Sequence, residues 1–481
     1  MKVLSTLIVC NLYFISTLFA QNYTGIQGSM YAGSLGVGNN PASIVHTPYR
    51  WDINLASLQY KINTNAFISE KSTLLPRIDS LNYFFNNGDF KRQVDANFNL
   101  RVLNARIALN HRQTIAFGMN LRGYGNAATD RFRYIDTITT LHDLLGINLD
   151  LQRFSTKATI GTWMELFATY GMTVLDHDPG RLNAALTIKY NRNIAGGFAQ
   201  VKNLGVESSP VGNSNEYFLL NGNARYGYAD NLDIWANDKT SRNNIDALMD
   251  AAPITFAMDV GLEYVVKSGA ITSIFEQDES YYEYEWKLGL ALLDVGWNKF
   301  RFSDNSLEVF NVKQNISGND LLSKFSGIQN IKGFNDSLSS IMIESNRPSG
   351  EFRILQPTRL VLNADRYIEG NIYVNGEVSL NLAGLQNENK YHLKEINFLT
   401  VTPRWETRKL GIYLPFQINN RGGFWVGTAF KAGPLFFGFH NIFNALGKNR
   451  KVKGGGYLAI VIRSGNGRKV SKDAFHECPI L

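Results

Sequence analysis

The sequence contains few cysteines, few charges and no long apolar run after its first residues. Two of its 481 residues are cysteine, and charged residues make up 19% of the chain, against roughly 25% in soluble globular domains. Beyond the N-terminus no window of about 18 apolar residues occurs, so no spanning helix is predicted there. The 48 Lys and Arg form no dense run, so a nucleic-acid partner is not expected.

Aromatic residues are abundant, with 30 Phe and 22 Tyr. Low charge combined with many aromatic residues is typical of an ordered chain and excludes the composition of disordered proteins. The 42 glycines follow no Gly-X-Y repeat, which excludes a collagen-like chain. The composition therefore indicates a large, ordered, aromatic-rich protein.

The N-terminus predicts a secretory signal peptide over residues 1–20. Lys2 precedes an uncharged stretch that ends at Phe19, and Ala20 is the small residue expected before a cleavage site. A retained membrane anchor is the alternative, but the stretch is interrupted by Ser5, Thr6, Asn11, Ser16 and Thr17. Cleavage also removes Cys10. The mature chain then keeps only Cys478, which excludes an internal disulfide and a cysteine metal site.

Long alternating segments distinguish an outer-membrane barrel from a soluble periplasmic protein. Strands of such barrels are ~10 residues long and alternate lipid-facing apolar with lumen-facing polar residues. The clearest segment sets Ile115, Phe117, Met119 and Leu121 against Ala116, Gly118, Asn120 and Arg122. In the preceding segment the parity shifts by one residue near Leu103 without a turn signal, which predicts a β-bulge. A soluble sandwich also alternates, but its strands are usually ~5–6 residues long.

We therefore predict an all-β protein, a single transmembrane antiparallel β-barrel of about 12–16 strands, with about 14 favoured. The predicted regions are a signal peptide (1–20), an N-terminal plug (21–50), the barrel (51–463) and a periplasmic tail (464–481). The alternation is interrupted in three intervals, 64–95, 126–162 and 313–352. Apolar residues recur at helical spacing in the second and third intervals, which predicts helical insertions in long loops that serve as a ligand lid or a packed cap.

A glycine-rich stretch from Gly28 to Ser43 precedes the first predicted strand and ends in Asn-Pro-Ala-Ser. Glycine allows backbone to pack tightly inside a lumen, and Asn-Pro initiates a turn. The residues assigned to the plug are Gly33, Gly36, Gly38, Asn40, Pro41 and Ala42. The alternative is a flexible periplasmic leader.

This stretch resembles the N-terminal plug of the long-chain fatty-acid transporter superfamily of outer-membrane barrels. Further segments are similar to a Bacteroidetes outer-membrane family of unknown function: 287–296 (KLGLALLDVG), 356–358 (QPT), 399–419 and 427–443. The resemblance spans nearly the whole mature chain and implies one plugged barrel, distantly related to the fatty-acid transporters. Relatives on that branch include barrels associated with type IX secretion. No biochemical activity comes with the resemblance, and the chain departs from simple barrels by continuing past Arg463.

Motifs of enzymes and cofactor sites are missing. The seven histidines show no metal-ligand spacing, and no Gly-x-Ser-x-Gly elbow occurs. We expect no catalytic residue, no cofactor and no metal, although a Ser/His pair brought together by the fold is the alternative. Polar residues on the predicted lumen side form a candidate site under the plug: Asp259, Glu263, Asp294, Arg404, Glu406 and Arg408. The simpler interpretation is that these charges pair to neutralise one another.

Three functions fit these observations. The first is a non-enzymatic outer-membrane barrel that binds or passes a hydrophobic ligand past an internal plug. The second is an accessory or scaffold barrel of a secretion or envelope complex, and the third is a porin, which the plug-like segment disfavours. The expected partners are outer-membrane lipid and either a hydrophobic small molecule or envelope proteins. An apolar tunnel next to residues 28–43 would favour transport, whereas a filled lumen would favour a scaffold.

Overall fold

The structure is a computed structural model. It describes nine stretches of the chain: 25–69, 83–149, 151–177, 179–211, 214–235, 240–267, 284–383, 390–446 and 451–464. The predicted signal peptide and the predicted tail after Ser464 lie outside the described residues.

The described residues form an all-β protein whose wall is a closed antiparallel barrel of 14 strands. Both the predicted fold class and the favoured strand number are confirmed. In chain order the strands are β1 Trp51–Ser69, β2 Tyr83–Phe85, β3 Gly88–Ala108, β4 Gln113–Tyr134, β5 Phe154–His177, β6 Gly180–Val211, β7 Ser214–Tyr228, β8 Ile254–Lys267, β9 Tyr284–Arg301, β10 Leu307–Val312, β11 Met342–Asn346, β12 Glu351–Leu355, β13 Arg359–Glu369, β14 Ile372–Asn381, β15 Tyr391–His392, β16 Phe398–Glu406, β17 Leu410–Tyr413, β18 Phe416–Asn419, β19 Phe424–Val426, β20 Thr428–Ala432, β21 Leu435–Phe439 and β22 Lys451–Arg463.

The wall closes where β1 pairs with β22 on one side and with β3 on the other. Two of the 14 wall strands are interrupted, so that each consists of two short consecutive strands. One is β17 followed by β18, and the other is β19 followed by β20. The strands β2, β7, β10, β11, β12 and β15 extend the sheet beyond the ring. Closure leaves no free sheet edge in the ring, as a strand protein in a bilayer requires.

Helices are short and lie in the connections. The α-helices are Leu141–Gly146, Ser241–Ala251, Gly318–Phe325, Ile331–Ser340 and Ile442–Leu446, and the 3₁₀ helices are Gly33–Leu35, Pro41–Ile44 and Asp230–Ile234. Ser317 and Asp320 form a reciprocal capping box at the start of one helix, and hydrogen bonds from Ser317 hold the pKa of Asp320 below its usual value.

Among the described residues no helix is long and apolar enough to span a membrane.

Side chains alternate between the two faces of the wall as predicted. On β4, Phe117 is exposed on the outside whereas Asn120 and Arg122 are buried inside. A band of exposed apolar side chains surrounds the ring, and its members include Phe117, Leu166, Leu186, Leu262, Leu288, Leu362, Ile412 and Leu458. An apolar outer band over a polar interior is the pattern of a barrel whose outside contacts lipid.

The predicted bulge on β3 is confirmed. The pairing of β3 with β4 shifts between Val102 and Ala105, and Leu103 has a φ of 53°. The extra residue turns Asn104 into the lumen, where a Cβ on Gly118 would lie 2.1 Å from its side-chain oxygen. The bulge therefore changes the parity of the strand while keeping apolar residues outside.

Two of the three predicted insertions are shorter than expected. In the first interval, β1 continues to Ser69 and β3 begins at Gly88, so much of 64–95 is strand. In the second, β4 and β5 cover most of 126–162 and leave one short helix at Leu141–Gly146. These strands continue beyond the exposed apolar band, and the alternation that identifies a strand in the sequence ends where the band ends. In 313–352 two helices are present, as predicted.

The two ends of the barrel differ. At the turn end, short connections such as 109–112, 370–371 and 407–409 join the strands, and the wall begins at Trp51 and ends at Arg463. At the loop end, the long insertions pack into a cap with its own apolar core, which includes Leu145, Val206, Tyr217, Leu219, Leu307, Val309 and Leu321.

Candidate functional site

Residues 25–50, here the N-terminal segment, lie inside the barrel. The backbone N–H of Ser34 donates to Asp52 Oδ1 on β1 at 2.6 Å, and Asn39 Nδ2 donates to Glu377 Oε2 on β14 at 2.8 Å. Asn40 Nδ2 donates to a backbone carbonyl of β8 at 2.9 Å. Because β1, β8 and β14 lie on different sides of the ring, these bonds place the segment across the lumen.

The local sequence of the segment explains its path. Asn40 caps the 3₁₀ helix that begins at Pro41, and its Oδ1 accepts a hydrogen bond from the N–H of Ala42 at 3.0 Å. Gly33 has a φ of 55°, and a Cβ there would lie 2.7 Å from the carboxylate of Asp52. The segment therefore approaches the wall more closely than a side chain would allow.

A glycine comparison tests this close approach. Gly33→Ala adds both backbone strain and a clash with Asp52, and we expect it to cost about 2–3 kcal/mol of unfolding free energy. Gly422 also has a positive φ, 69°, but a Cβ there meets nothing within 4 Å. Gly422→Ala should therefore cost only about 1 kcal/mol. Urea unfolding in bilayers measures both; equal costs would contradict the assigned contact.

Arginines of the wall bind the backbone of the N-terminal segment. Arg106 donates to the carbonyls of Ile44 at 3.1 Å and of Tyr49, and its Nε lies 2.6 Å from Asp52 Oδ2. Arg359 Nη2 donates to a further carbonyl of the segment at 2.8 Å. Charged donors satisfy carbonyls that the lumen hides from water, and buried backbone carbonyls need such partners.

A second group of charges ties the segment to β16. Arg404 binds Asp365 through two bonds of 2.5 and 2.7 Å, and its Nε lies 2.7 Å from Glu406 Oε1. Glu406 Oε2 accepts bonds from Ser29 Oγ at 2.7 Å and from the Tyr413 hydroxyl at 3.0 Å. Paired, fully hydrogen-bonded charges are the form in which burial is tolerated.

A layer of five buried charges lies next to the segment in the lumen. This charged layer consists of Arg122, Glu165, Lys189, Asp259 and Asp294. Arg122 contacts Asp294 at 2.5 and 2.8 Å and Glu165 at 2.9 Å, while Lys189 Nζ lies 2.7 Å from both Asp259 and Asp294. Three carboxylates face two cations, so the layer is formally negative and offers no unpaired cation for an anionic ligand.

Towards the loop end, aromatic side chains line the lumen directly above the charged layer. This aromatic cage consists of Tyr124, Trp163, Phe198, Phe300 and Phe352, all of them buried. Its base is the cation–π contact of the Arg122 guanidinium, 5.0 Å from the Trp163 ring centroid. Apolar side chains that point into a barrel lumen contrast with the polar interior of an aqueous channel.

Residues 390–397, here the strap, run through the same space. The strap lies between β14 and β16 in the sequence and leads directly into β16. Its Tyr391 ring stacks on the Phe198 ring, with ring centroids 3.6 Å apart. Leu393 is fully buried in the cage. Glu395 forms a buried ion pair with Lys61 of β1. The strap thus contacts strands on several sides of the ring.

The lumen between these layers is filled. Two cavities lined by described residues have volumes of about 30 and 20 Å³. The larger lies between the N-terminal segment and the wall, and the smaller lies between the segment and the charged layer. Spaces of this size hold about one or two water molecules. Within the described residues no three His, Cys, Asp or Glu side chains are placed to hold a metal ion.

A family of unknown function, DUF5723, matches residues 41–440. The chain belongs to this family. The predicted membership in a barrel family of unknown function is thereby confirmed. No curated protein matches the chain.

Two solved structures are similar to the DUF5723 chain. A FadL homologue from Pseudomonas aeruginosa is 12% identical, with 92% of this chain and 99% of that chain covered and a TM-score of 0.41. The toluene transporter TbuX from Ralstonia pickettii is 9% identical, with 90% and 94% covered and a TM-score of 0.37.

The six polar residues predicted as one site fall into separate groups in the DUF5723 barrel. Asp259 and Asp294 belong to the charged layer, and Arg404 and Glu406 belong to the group around Ser29. Glu263 lies 3.7 Å from Lys287. Arg408 lies at the turn end instead, where its Nη2 donates to the carbonyl of Ser464 at 3.1 Å.

Sequence reasoning about the site missed the partners of these residues. Arg122, Glu165, Lys189 and Asp365 complete the two charge groups. The alternating pattern predicts that these side chains face the lumen, but it does not predict which of them pair. Asp294, for example, meets Arg122 across the lumen from a strand that is 172 residues away in sequence.

Proposed function

We propose that this DUF5723 chain is an integral outer-membrane barrel, without enzymatic activity, that binds a hydrophobic small molecule and passes it beyond an internal plug. The aromatic cage is the observation that carries the proposal. Ligand pockets are lined mainly by hydrophobic and aromatic side chains with a few polar groups, and the cage above the charged layer has this composition. A porin would need a continuous polar channel, which the filled lumen does not provide.

The apolar outer band supports a position in a bilayer. A closed barrel with a polar interior and an exposed apolar band fits the outer membrane, where such barrels occur. The protein should fractionate with outer membranes, and its gel mobility should change on heating because the barrel stays folded in cold detergent. Recovery in a soluble periplasmic fraction would contradict this location.

In this proposal the N-terminal segment is the plug. Its arginine-bound carbonyls and its bonds to β1, β8 and β14 hold it across the lumen without covalent links. Ala459, which faces the lumen on β22, is fully buried in an apolar cluster with Ile26, Ala32 and Leu35 of the segment. A cysteine at position 459 therefore reports whether the segment covers the wall.

Deleting residues 28–43 should expose position 459 to water. In a Cys478→Ser background, we expect Ala459→Cys to react with a water-soluble maleimide at least about tenfold faster after the deletion, because reactivity requires access. Heat-dependent gel mobility checks that the shortened protein is still a folded barrel. Equal labelling rates in two folded proteins would mean that the segment does not cover the lumen.

The filled lumen favours one alternative, a scaffold barrel of a secretion or envelope complex. A barrel that only holds partners needs no passage, and the two cavities of about 30 and 20 Å³ beside the N-terminal segment have room only for water-sized molecules. The loop-end cap also exposes apolar side chains such as Leu322 and Ile343, and exposed apolar surface can bind a partner.

Co-purification separates the two functions. The native protein is extracted from membranes and both its bound lipids and its bound proteins are identified by mass spectrometry. A hydrophobic small molecule enriched over a matched barrel with a polar lumen supports ligand binding. Stoichiometric envelope proteins with no enriched small molecule would support the scaffold instead.

A further inference from the structure

Leu393 and Tyr391 of the strap occupy an apolar recess that the wall is shaped to contain. Glycines on three neighbouring strands make room for it: Gly161 on β5, Gly196 on β6 and Gly227 on β7. A Cβ on Gly161 would lie 2.9 Å from Leu393, and one on Gly196 would lie 2.3 Å from Phe300. Leu393 and the Phe300 ring of the cage therefore fit here because positions 161 and 196 of the wall carry no side chain.

Hydrogen-bonding groups in the cage and beside the charged layer lack a partner among the protein atoms. Among the described residues, Trp163 Nε1 and both amide atoms of Asn191 are buried without a hydrogen-bond partner. Trp163 is a member of the cage, and Asn191 lies on the neighbouring strand β6, paired with Glu165 of the charged layer. Buried polar groups are normally satisfied, so an oxygen of a ligand or a water would be favourable here.

The strap is held by individual contacts with several strands and by one two-residue pairing. Its two-residue strand β15 pairs in parallel with β12, the N–H of Lys394 donates to Asn126 Oδ1 at 2.7 Å, and the Leu393 N–H donates to the carbonyl of Leu355 at 3.0 Å. Glu395 forms a buried ion pair with Lys61 and accepts a hydrogen bond from Asn97 Nδ2 at 2.8 Å. Asn126 Nδ2 and Lys157 Nζ donate to the carbonyls of Lys394 and Lys390 at 3.0 and 3.3 Å. Wall strands, in contrast, share continuous ladders, so the strap can leave without opening the ring.

We propose that the aromatic cage is a binding site for a neutral, hydrophobic small molecule with a hydrogen-bonding oxygen, and that Tyr391 and Leu393 of the strap occupy it when no ligand is bound. The apolar part of the ligand takes the place of these two side chains, and its oxygen pairs with Trp163 Nε1. The ligand is uncharged for two reasons: the cations of the charged layer are already paired with carboxylates, which disfavours an anion, and the Arg122 guanidinium at the base of the cage disfavours a cation. This inference rests on the proposed function, for which it names the site and the ligand class.

The test uses the full chain in nanodiscs, with 1-decanol as the probe. In a Cys478→Ser background, Leu393→Cys places a reporter thiol in the cage, where it should react slowly with a water-soluble maleimide. Because decanol and the strap compete for one site, we expect decanol to raise the labelling rate at least about tenfold. Ala459→Cys, a buried thiol far from the cage, should not respond, which excludes general disruption of the bilayer.

Two further variants keep the test decisive. Gly161→Leu fills the recess, so the strap thiol should label fast without decanol and should not respond to it. If the cysteine at position 393 itself releases the strap, Ile396→Cys, which is also a buried strap residue, reports the same displacement. The proposed site is wrong if the cysteines at positions 393 and 396 both label slowly and decanol does not change their labelling rates. Heat-dependent gel mobility must show that the labelled protein is a folded barrel.

The test of the binding site and the test of the proposed function can fail independently of each other. Uptake of a hydrophobic dye by whole cells without any decanol effect on strap labelling would overturn this site and leave ligand passage standing. Decanol-dependent labelling without dye uptake would support the site and contradict passage.

Discussion

Leu262→Arg is expected to cost the folded barrel about 2–4 kcal/mol, because in the proposed outer-membrane location it places a charge in the apolar band that faces lipid. Leu262 faces outward from β8, whereas its neighbours Gly261 and Glu263 face the lumen. Measurement is by urea unfolding in bilayers, with the refolding limb recorded to confirm equilibrium.

An exposed residue outside the band provides the matched control. Ile343 on β11 is more exposed than Leu262, at 60% against 39%, but it belongs to the loop-end cap. Ile343→Arg should change the unfolding free energy by no more than about 0.5 kcal/mol, because it stays in water. A cost at position 343 as large as that at position 262 would contradict the assignment of the lipid-facing band.

Arg106→Met is expected to destabilise the protein by about 3–5 kcal/mol, since it leaves the carboxylate of Asp52 buried without its cation. Both side chains are fully buried, 2.6 Å apart, and Arg106 also binds two carbonyls of the N-terminal segment. Protease cleavage of the segment should become faster as well, because its attachment to the wall is weakened.

A double-mutant cycle isolates the pair. Asp52→Asn removes the charge but keeps an acceptor for the Ser34 N–H, so the double variant with Arg106→Met should recover part of the loss. The exposed pair of Arg131 and Asp89, 2.9 Å apart, is the control, and Arg131→Met should cost at most about 1 kcal/mol. Similar costs for Arg106→Met and Arg131→Met would mean that the segment is not anchored in this way.

Much of the wall was predictable because strands with an apolar outer face and a polar inner face have a side-chain period of two. On β4 the sequence separates Phe117 from Arg122 without ambiguity, and the parity shift at Leu103 predicted the bulge that the structure contains. Each of these inferences depends on one strand and its immediate neighbours. A single sequence carries that information directly.

The interior was less predictable because it depends on closure. Arg122 and Asp294 pair across the ring, which requires the number and stagger of the intervening strands rather than the local pattern of either one. The strap shows no alternation and no helical spacing, and Leu393 is buried because strands distant in sequence surround it. The strand ends beyond the band were also missed, since no lipid contact constrains them.

Dye uptake by whole cells tests the central claim most directly. The protein is expressed in a Gram-negative host whose intact outer membrane excludes the neutral dye N-phenyl-1-naphthylamine, and surface amounts are matched to those of an unrelated barrel with a polar lumen. Nitrocefin hydrolysis in the periplasm measures the passage of a polar solute. The account predicts faster dye uptake with unchanged nitrocefin hydrolysis. Dye uptake equal to that of the unrelated barrel, at equal surface amounts of folded protein, would contradict it.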